Sequence, residues 1–324
     1  MKIVCRTTNR VFVGLPLCRD PDFQELNEQF TIDVFIGAQI INLFPEFLKP
    51  RVGPVLTKVP GRIKRAVHHI RPLVEEQLKQ RERHGKDWPD KPNDLISWLF
   101  DEAKGPHLHK VEEIAIRVLS VNVAAIHTTT NALTHTLFNL AAYPEYVAPL
   151  REEVESVIEA EGWTKLSMQK MRKLESFIME SQRSAVGAQA MNRKILQNFT
   201  FSNGITLPAG TEVAIASYET HLDDKNYDGA HEFQGFRFSN MPHEGEGLKH
   251  QFVSMAPNYY TFGMGRHACP GRFFAVNELK AMLVYILLNY EVKFPNDGPR
   301  PDNFWFSGLL TASRTAEVMF KKRM

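Results

Sequence analysis

Only three cysteines occur in the 324 residues, Cys5, Cys18 and Cys269. An odd, sparse set does not make a disulfide framework, and with no signal-peptide pattern at residue 1 a reducing compartment is expected. No two of the cysteines form a CxxC pair, so a structural zinc site has no foundation. Long apolar runs are missing as well: spanning a bilayer takes roughly 18 or more such residues, and the best candidate, 31–44, is shorter and carries Asp33. Charge of one sign is not in excess either. Thirty-nine Lys and Arg stand against 37 Asp and Glu, a net charge of +2, and the basic residues are spread rather than gathered into a stripe, which leaves nucleic-acid binding without support. No Gly/Ser linker, repeat or low-complexity stretch divides the chain, so residues 1–324 are read as a single domain.

What is present is enough apolar material, 43% of residues, for a sizeable core. From residue 22 to about 100 the pattern is helical, with breaks expected at Pro45, Pro50, Pro54, Pro60, Pro89 and Pro92. Residues 62–81 read as an amphipathic surface helix that Pro72 should kink. Residues 109–142 differ, because Ile114, Val118, Leu119, Val123, Ile126, Leu133 and Leu137 place apolar groups on most faces. That predicts a long helix buried nearly all round. Two further helices are expected over 145–160 and 167–185, short strands within 194–217, and a meandering loop over 219–260. A last helix should cover 272–289, with closing strands in 290–294 and 317–320. The fold class is therefore mainly α with small β-sheets.

The sharpest chemical feature runs from Thr261 to Arg272, TFGMGRHACPGR, a glycine-rich loop that carries Cys269 into the start of a helix. Free N–H groups and the partial positive charge of a helix N-terminus stabilise a thiolate. Gly263, Gly265 and Gly271 let the backbone turn sharply and approach a flat ligand, whose face Phe262 can cover. His267 can donate a hydrogen bond to an anionic group. Read without its neighbours, Cys269 would be a buried structural cysteine or an unrelated nucleophile.

This loop resembles the haem-binding loop of the cytochrome P-450 family, to which Phe262, Gly265, His267, Cys269 and Gly271 correspond position by position. The resemblance implies that Cys269 ligates the iron of heme b (iron protoporphyrin IX) and that His267 binds a propionate. Glu180 and Arg183, spaced i,i+3, resemble the family's ExxR pair, which is structural; taken alone they would be an ordinary surface pair. Their third partner should be Arg237 within Phe233 to Phe238, where Gly235 stands in place of the family's usual proline. Ala124 to Thr129 is similar to the oxygen-binding segment. There, small residues such as Ala125 make room for a ligand, and a threonine can bond the carbonyl four residues earlier. Thr128 is the expected proton-delivery residue. His127 replaces the usual acid; a relay from His127 to Thr128 is expected, with a satisfied core histidine as the alternative. Arg193, expected at the start of the first strand, resembles the second propionate-binding arginine.

The resemblance implies a cytochrome P-450 fold, incomplete at the N-terminus, and a monooxygenase that inserts one atom of O2 into a hydrophobic small molecule. Terpenoid-like and other lipophilic secondary metabolites, as handled by fungal microsomal members, are the expected class, with walls from residues 121–125, 185–190 and 306–310. An NADPH-dependent reductase is the implied electron donor, and a monomer is expected. The match runs from about residue 20 to the end, without the membrane anchor and first helices that family members usually carry. A full-length form would then sit at the endoplasmic reticulum membrane, on its cytosolic face. The alternatives are a truncated, catalytically silent haem-thiolate fragment and a haem-thiolate isomerase or dehydratase.

Overall fold

Acidic side chains open several helices by accepting amide protons that the first turn leaves free. In the computed structural model, which describes residues 1–241, 251–306 and 308–324, two compact units form, Met1–Thr130 and Asn131–Met324. The first contains α1 (Lys2–Phe12), α2 (Pro21–Asn42), α3 (Lys49–Leu56), α4 (Val59–His84), α5 (Leu95–Glu102) and the leading part of α6 (Val111–Ala142). Asp20 caps α2 through the Phe23 amide and Asp94 caps α5 through the Ser97 amide, each at 2.8 Å. Pro50 and Pro60, anticipated as breaks, instead occupy the first turns of α3 and α4, where a missing N–H leaves no bond unmade. Pro54 and Pro72 lie inside those two helices without ending them. In α4, buried Ala66, Ile70 and Val74 hold the helix to the core on both sides of Pro72.

Within the first unit α6 buries Ile114, Ala115, Val118, Leu119, Asn122, Ile126 and Thr129. It is not apolar-buried all round, however. Ile116, Ser120, Val121, Ala124 and Thr128 form an exposed stripe at helical spacing. The expected core helix is thus present, with one face left open.

The second unit holds the rest of α6, then α7 (Val147–Glu161), α8 (Lys165–Lys170), α9 (Arg172–Arg183), α10 (Ser217–His221), α11 (Arg237–Asn240) and α12 (Arg272–Asn289). The single helix expected over 167–185 is two, α8 and α9, because the chain leaves helical geometry at Met171 (φ −76°, ψ 82°). Among the described residues, eight short strands pair two by two, all antiparallel. β1 (Ala190–Lys194) pairs with β4 (Glu212–Ile215), and β2 (Phe199–Thr200) with β3 (Thr206–Leu207). β5 (Tyr290–Lys293) pairs with β8 (Met319–Lys322), the expected closing strands, and β6 (Phe304–Phe306) with β7 (Leu309–Thr311). The expected meander is interrupted by α10 and α11; its residues 242–250 lie outside the described residues. The architecture is mainly α with small sheets. Among the described residues, no helix is long and apolar enough to cross a membrane.

Candidate functional site

Cys269 sits two residues before the N-cap of α12, Gly271, and no side chain caps that helix. Its thiol is free and half-buried, and among the described residues nothing hydrogen-bonds its Sγ. Two residues with positive φ, Gly263 (69°) and Gly265 (66°), turn the loop; in that region a Cβ is strained. The turn is closed by the Cys269 amide, which donates to Phe262 O at 2.8 Å, and by Gly263 N to Tyr260 O at 2.9 Å. A Cβ on Gly271 would lie 3.9 Å from the sulfur, so larger side chains there would crowd whatever the sulfur binds. A free thiol beside uncapped helix amides, on a loop lacking bulk, fits a thiolate-ligated haem. His267 is exposed, and Phe262 packs against buried Phe252 with ring centroids 4.9 Å apart.

Glu180, Arg183 and Arg237 are brought together in the core. Arg183 makes a two-pronged contact with the carboxylate, 2.8 Å from Nε and 2.8 Å from Nη2. Arg237 Nε adds bonds of 3.2 and 3.1 Å. Spare guanidinium protons go to carbonyls: Arg183 Nη1 donates to His221 O at 2.6 Å, and Arg237 Nη2 donates to Gly229 O and Glu232 O, both at 3.1 Å. A surface i,i+3 pair would contribute a few tenths of a kcal/mol. Breaking a buried set of this kind costs on the order of 3–5 kcal/mol, because a charge is left uncompensated. Arg237 opens the short helix α11 rather than lying in irregular loop.

Gly235 explains its own departure from proline. A Cβ there would stand 2.8 Å from Phe177 Cδ2 and 2.8 Å from Tyr146 Cε1, inside an aromatic cluster that also holds Phe233 and Phe236. The position is therefore constrained by packing rather than loosened.

Two buried groups escape sequence inspection. Lys280 Nζ on α12 lies 2.6 Å from Glu175 on α9 and donates to Met168 O at 2.7 Å. The other oxygen of Glu175 accepts from the Phe252 amide at 2.5 Å, which fixes the ring behind Phe262. A lysine in the apolar helix 272–289 was the available signal. His221, fully buried, bridges Arg183 and Tyr260, and burial pushes its imidazole down to about 4.

On α6, the Thr128 hydroxyl donates to Ala124 O at 2.5 Å, the bond expected of it, and Ala125 is half-buried. The relay expected from His127 to Thr128 is not seen as a direct contact. His127 Nε2 donates to Glu28 O on α2 at 3.1 Å, and no bond joins it to Thr128 among the described residues. Consecutive helical residues diverge by about 100°, so the imidazole and the hydroxyl address different partners.

Arg193 is exposed, occupies the fourth of the five positions of β1 rather than its start, and among the described residues donates only to Asn192 O, at 2.8 Å. β1 does reach the cysteine loop: a Cβ on Gly263 would come within 4.0 Å of Met191 Cγ. Two of the three expected substrate-wall segments also meet, since Ala188 N donates to Gly308 O at 2.8 Å and a Cβ on Gly187 would lie 2.8 Å from that carbonyl. Ser307 and the Phe306 side chain, in the expected wall 306–310, lie outside the described residues.

Against known proteins, a family model described as cytochrome P-450 matches residues 1–320, extending the resemblance to the first residue. Cytochrome P-450 monooxygenase 103 of Postia placenta is 46% identical over 328 residues, covering 99% of this chain and 65% of the relative. Monooxygenase 151 of the same fungus is 44% identical over 325 residues, with 99% and 65% covered. Monooxygenase ntnM of a Nectria species is 37% identical over 330 residues, with 100% and 62% covered. The chain thus spans somewhat under two thirds of the length of these relatives.

Proposed function

The chain belongs to the cytochrome P-450 family, and from that premise we propose that it serves as a haem-thiolate monooxygenase for a hydrophobic small molecule. The observation that carries the reading is a free Cys269 at the uncapped start of α12, on a loop turned by Gly263 and Gly265. Cys269 would hold the iron of heme b. Phe262, Gly265 and Gly271 would lie along the macrocycle, with His267 and Arg193 on its propionates and Ala125 leaving room beside the ligand. Bound haem supplies the activation of dioxygen, which a thiolate ligand favours.

The protein's own part is positioning and proton supply. Thr128, on the open stripe of α6, has its proton directed to Ala124 O; its oxygen lone pairs can accept from solvent, and it would pass a proton on only by turning its own hydroxyl away from Ala124 O. His127, held by Glu28 O, orients α6 rather than feeding Thr128. Glu180, Arg183 and Arg237 hold the segment beneath the loop. Apolar and small residues at 121–125 and 185–190 favour a lipophilic substrate, in keeping with terpenoid-like secondary metabolites. Electrons would come from an NADPH-dependent reductase. A monomer at the cytosolic face of the endoplasmic reticulum, for a longer form, accords with the reading.

The test is turnover of the haem-loaded chain with reductase, NADPH and a panel of terpenoids under isotopically labelled dioxygen. The reading expects product with one labelled atom, absent for Cys269→Ala. Product formed without reductant would instead indicate isomerase or dehydratase chemistry, and haem uptake with no product from any substrate would favour a silent fragment.

A further inference from the structure

His221 ends α10 and stands between the buried ion network and the chain entering the cysteine loop, and we infer that it is a positioning residue for Cys269. Both ring nitrogens are committed: Nδ1 lies 3.1 Å from Arg183 O, and Nε2 accepts from Tyr260 N at 2.7 Å. A carbonyl only accepts and an amide only donates, so the ring is held as the neutral tautomer protonated on Nδ1. Arg183 returns the contact, its Nη1 donating to His221 O at 2.6 Å. Each of the two side chains therefore holds the other's carbonyl. Tyr259 and Tyr260 lie nearly parallel to the imidazole, at 5.3 Å and 6° and at 5.8 Å and 18°, which fixes the ring plane.

From Tyr260 the path to the sulfur is short and made of backbone. Tyr260 O accepts from Gly263 N at 2.9 Å, and Phe262 O accepts from the Cys269 amide at 2.8 Å. The Nε2 lone pair of His221 thus anchors the first residue of a hydrogen-bonded turn whose last amide is that of Cys269. Without that acceptor the half-buried Tyr260 N–H loses its partner beside the buried imidazole. The loop can then satisfy it only by shifting, and the shift reaches Cys269.

This inference rests on the haem-thiolate reading, and the experiment separates the two. His221→Gln and His221→Asn are compared with wild type in the haem-reconstituted, reduced, carbon monoxide-bound chain, alongside thermal unfolding of each. Glutamine carries an acceptor to about the Nε2 position and keeps the Tyr260 bond. Asparagine ends near Nδ1, serves Arg183 O, and leaves the Tyr260 N–H unpaired. Both variants should lose stability, but only asparagine should raise the fraction of haem lacking the long-wavelength thiolate band, by about tenfold, the scale of one buried unpaired donor. Equal thiolate fractions in wild type and both folded variants would reduce His221 to a packing residue and overturn the inference. Should the asparagine variant not fold, loss of the band in folded His221→Gln overturns it equally. Absence of the band in wild type would sink the haem-thiolate reading itself.

Discussion

Substituting alanine at Gly235 should destabilise the protein although it adds one methyl group. The new Cβ would meet Phe177 Cδ2 at 2.8 Å, Tyr146 Cε1 at 2.8 Å and Tyr146 Cδ1 at 2.9 Å. Carbon atoms are comfortable at about 3.5–4.0 Å, so both rings must move. They are not free to do so: Tyr146 packs edge-on to Phe233 and Phe236, and Phe177 edge-on to Phe233. Overpacking of this kind costs about 1–3 kcal/mol, while the loss of glycine's unfolded-state freedom offsets about 0.4–1 kcal/mol. The expected net loss is about 1–2 kcal/mol. Urea unfolding reads it as a lower midpoint at unchanged slope. In a Tyr146→Leu background the same substitution should cost less, by about 1 kcal/mol, because one of the two rings is gone while Phe177 remains. A Gly235→Ala protein as stable as wild type, or a cost identical in the two backgrounds, would refute the steric argument.

Lys280→Met should cost about 3–5 kcal/mol by stranding the buried Glu175 carboxylate, and adding Glu175→Gln should recover most of it, since the amide oxygen still accepts from Phe252 N. A single variant as stable as wild type in denaturant titration would contradict this. Acid should weaken the fold through two buried histidines, His135 and His221, each held down from its ordinary 6.5 to about 4 by burial. Folded values below the unfolded ones mean that the unfolded chain binds more protons between those limits. Stability is therefore complete above pH 6.5 and lost as pH falls towards 4, by about 3 kcal/mol for each histidine. For His135 a second cause agrees, since its Nδ1 accepts from Arg300 Nη2 at 3.0 Å and a protonated ring could not. Unfolding midpoints measured from pH 7 to 4 should fall, less steeply for His135→Gln; a flat profile would exclude this account.

What the sequence made legible was local or tied to a spaced motif. The limits of α12 follow from the glycine before it and a mostly apolar segment interrupted at Asn277, Glu278 and Lys280, and the pairing of β5 with β8 from alternation. Glu180, Arg183 and Arg237 stood out through the family resemblance of their flanking sequence rather than through spacing alone, and the structure brings them together. The hidden residues are those whose meaning is set by distant chain: His221 meets partners 38 and 39 residues away, and Lys280 meets Glu175 across 105. Nothing in their flanks reveals those partners. The reason for Gly235 in place of proline is hidden in its flanks because its neighbours in space, Tyr146 and Phe177, lie far back in the sequence. The open stripe on α6 was masked by composition: Ile116 and Val121 are apolar yet exposed, and only packing tells which side of an apolar helix is left uncovered.

The central claim is that Cys269 is a haem-iron ligand, and the carbon monoxide spectrum of the reduced, haem-reconstituted chain tests it most directly, wild type beside Cys269→Ala. The account predicts the long-wavelength Soret band of a thiolate-ligated iron in wild type and its loss in the variant, with Gly235 and the Glu180 network untouched. Haem bound with the same short-wavelength band in both proteins would contradict it.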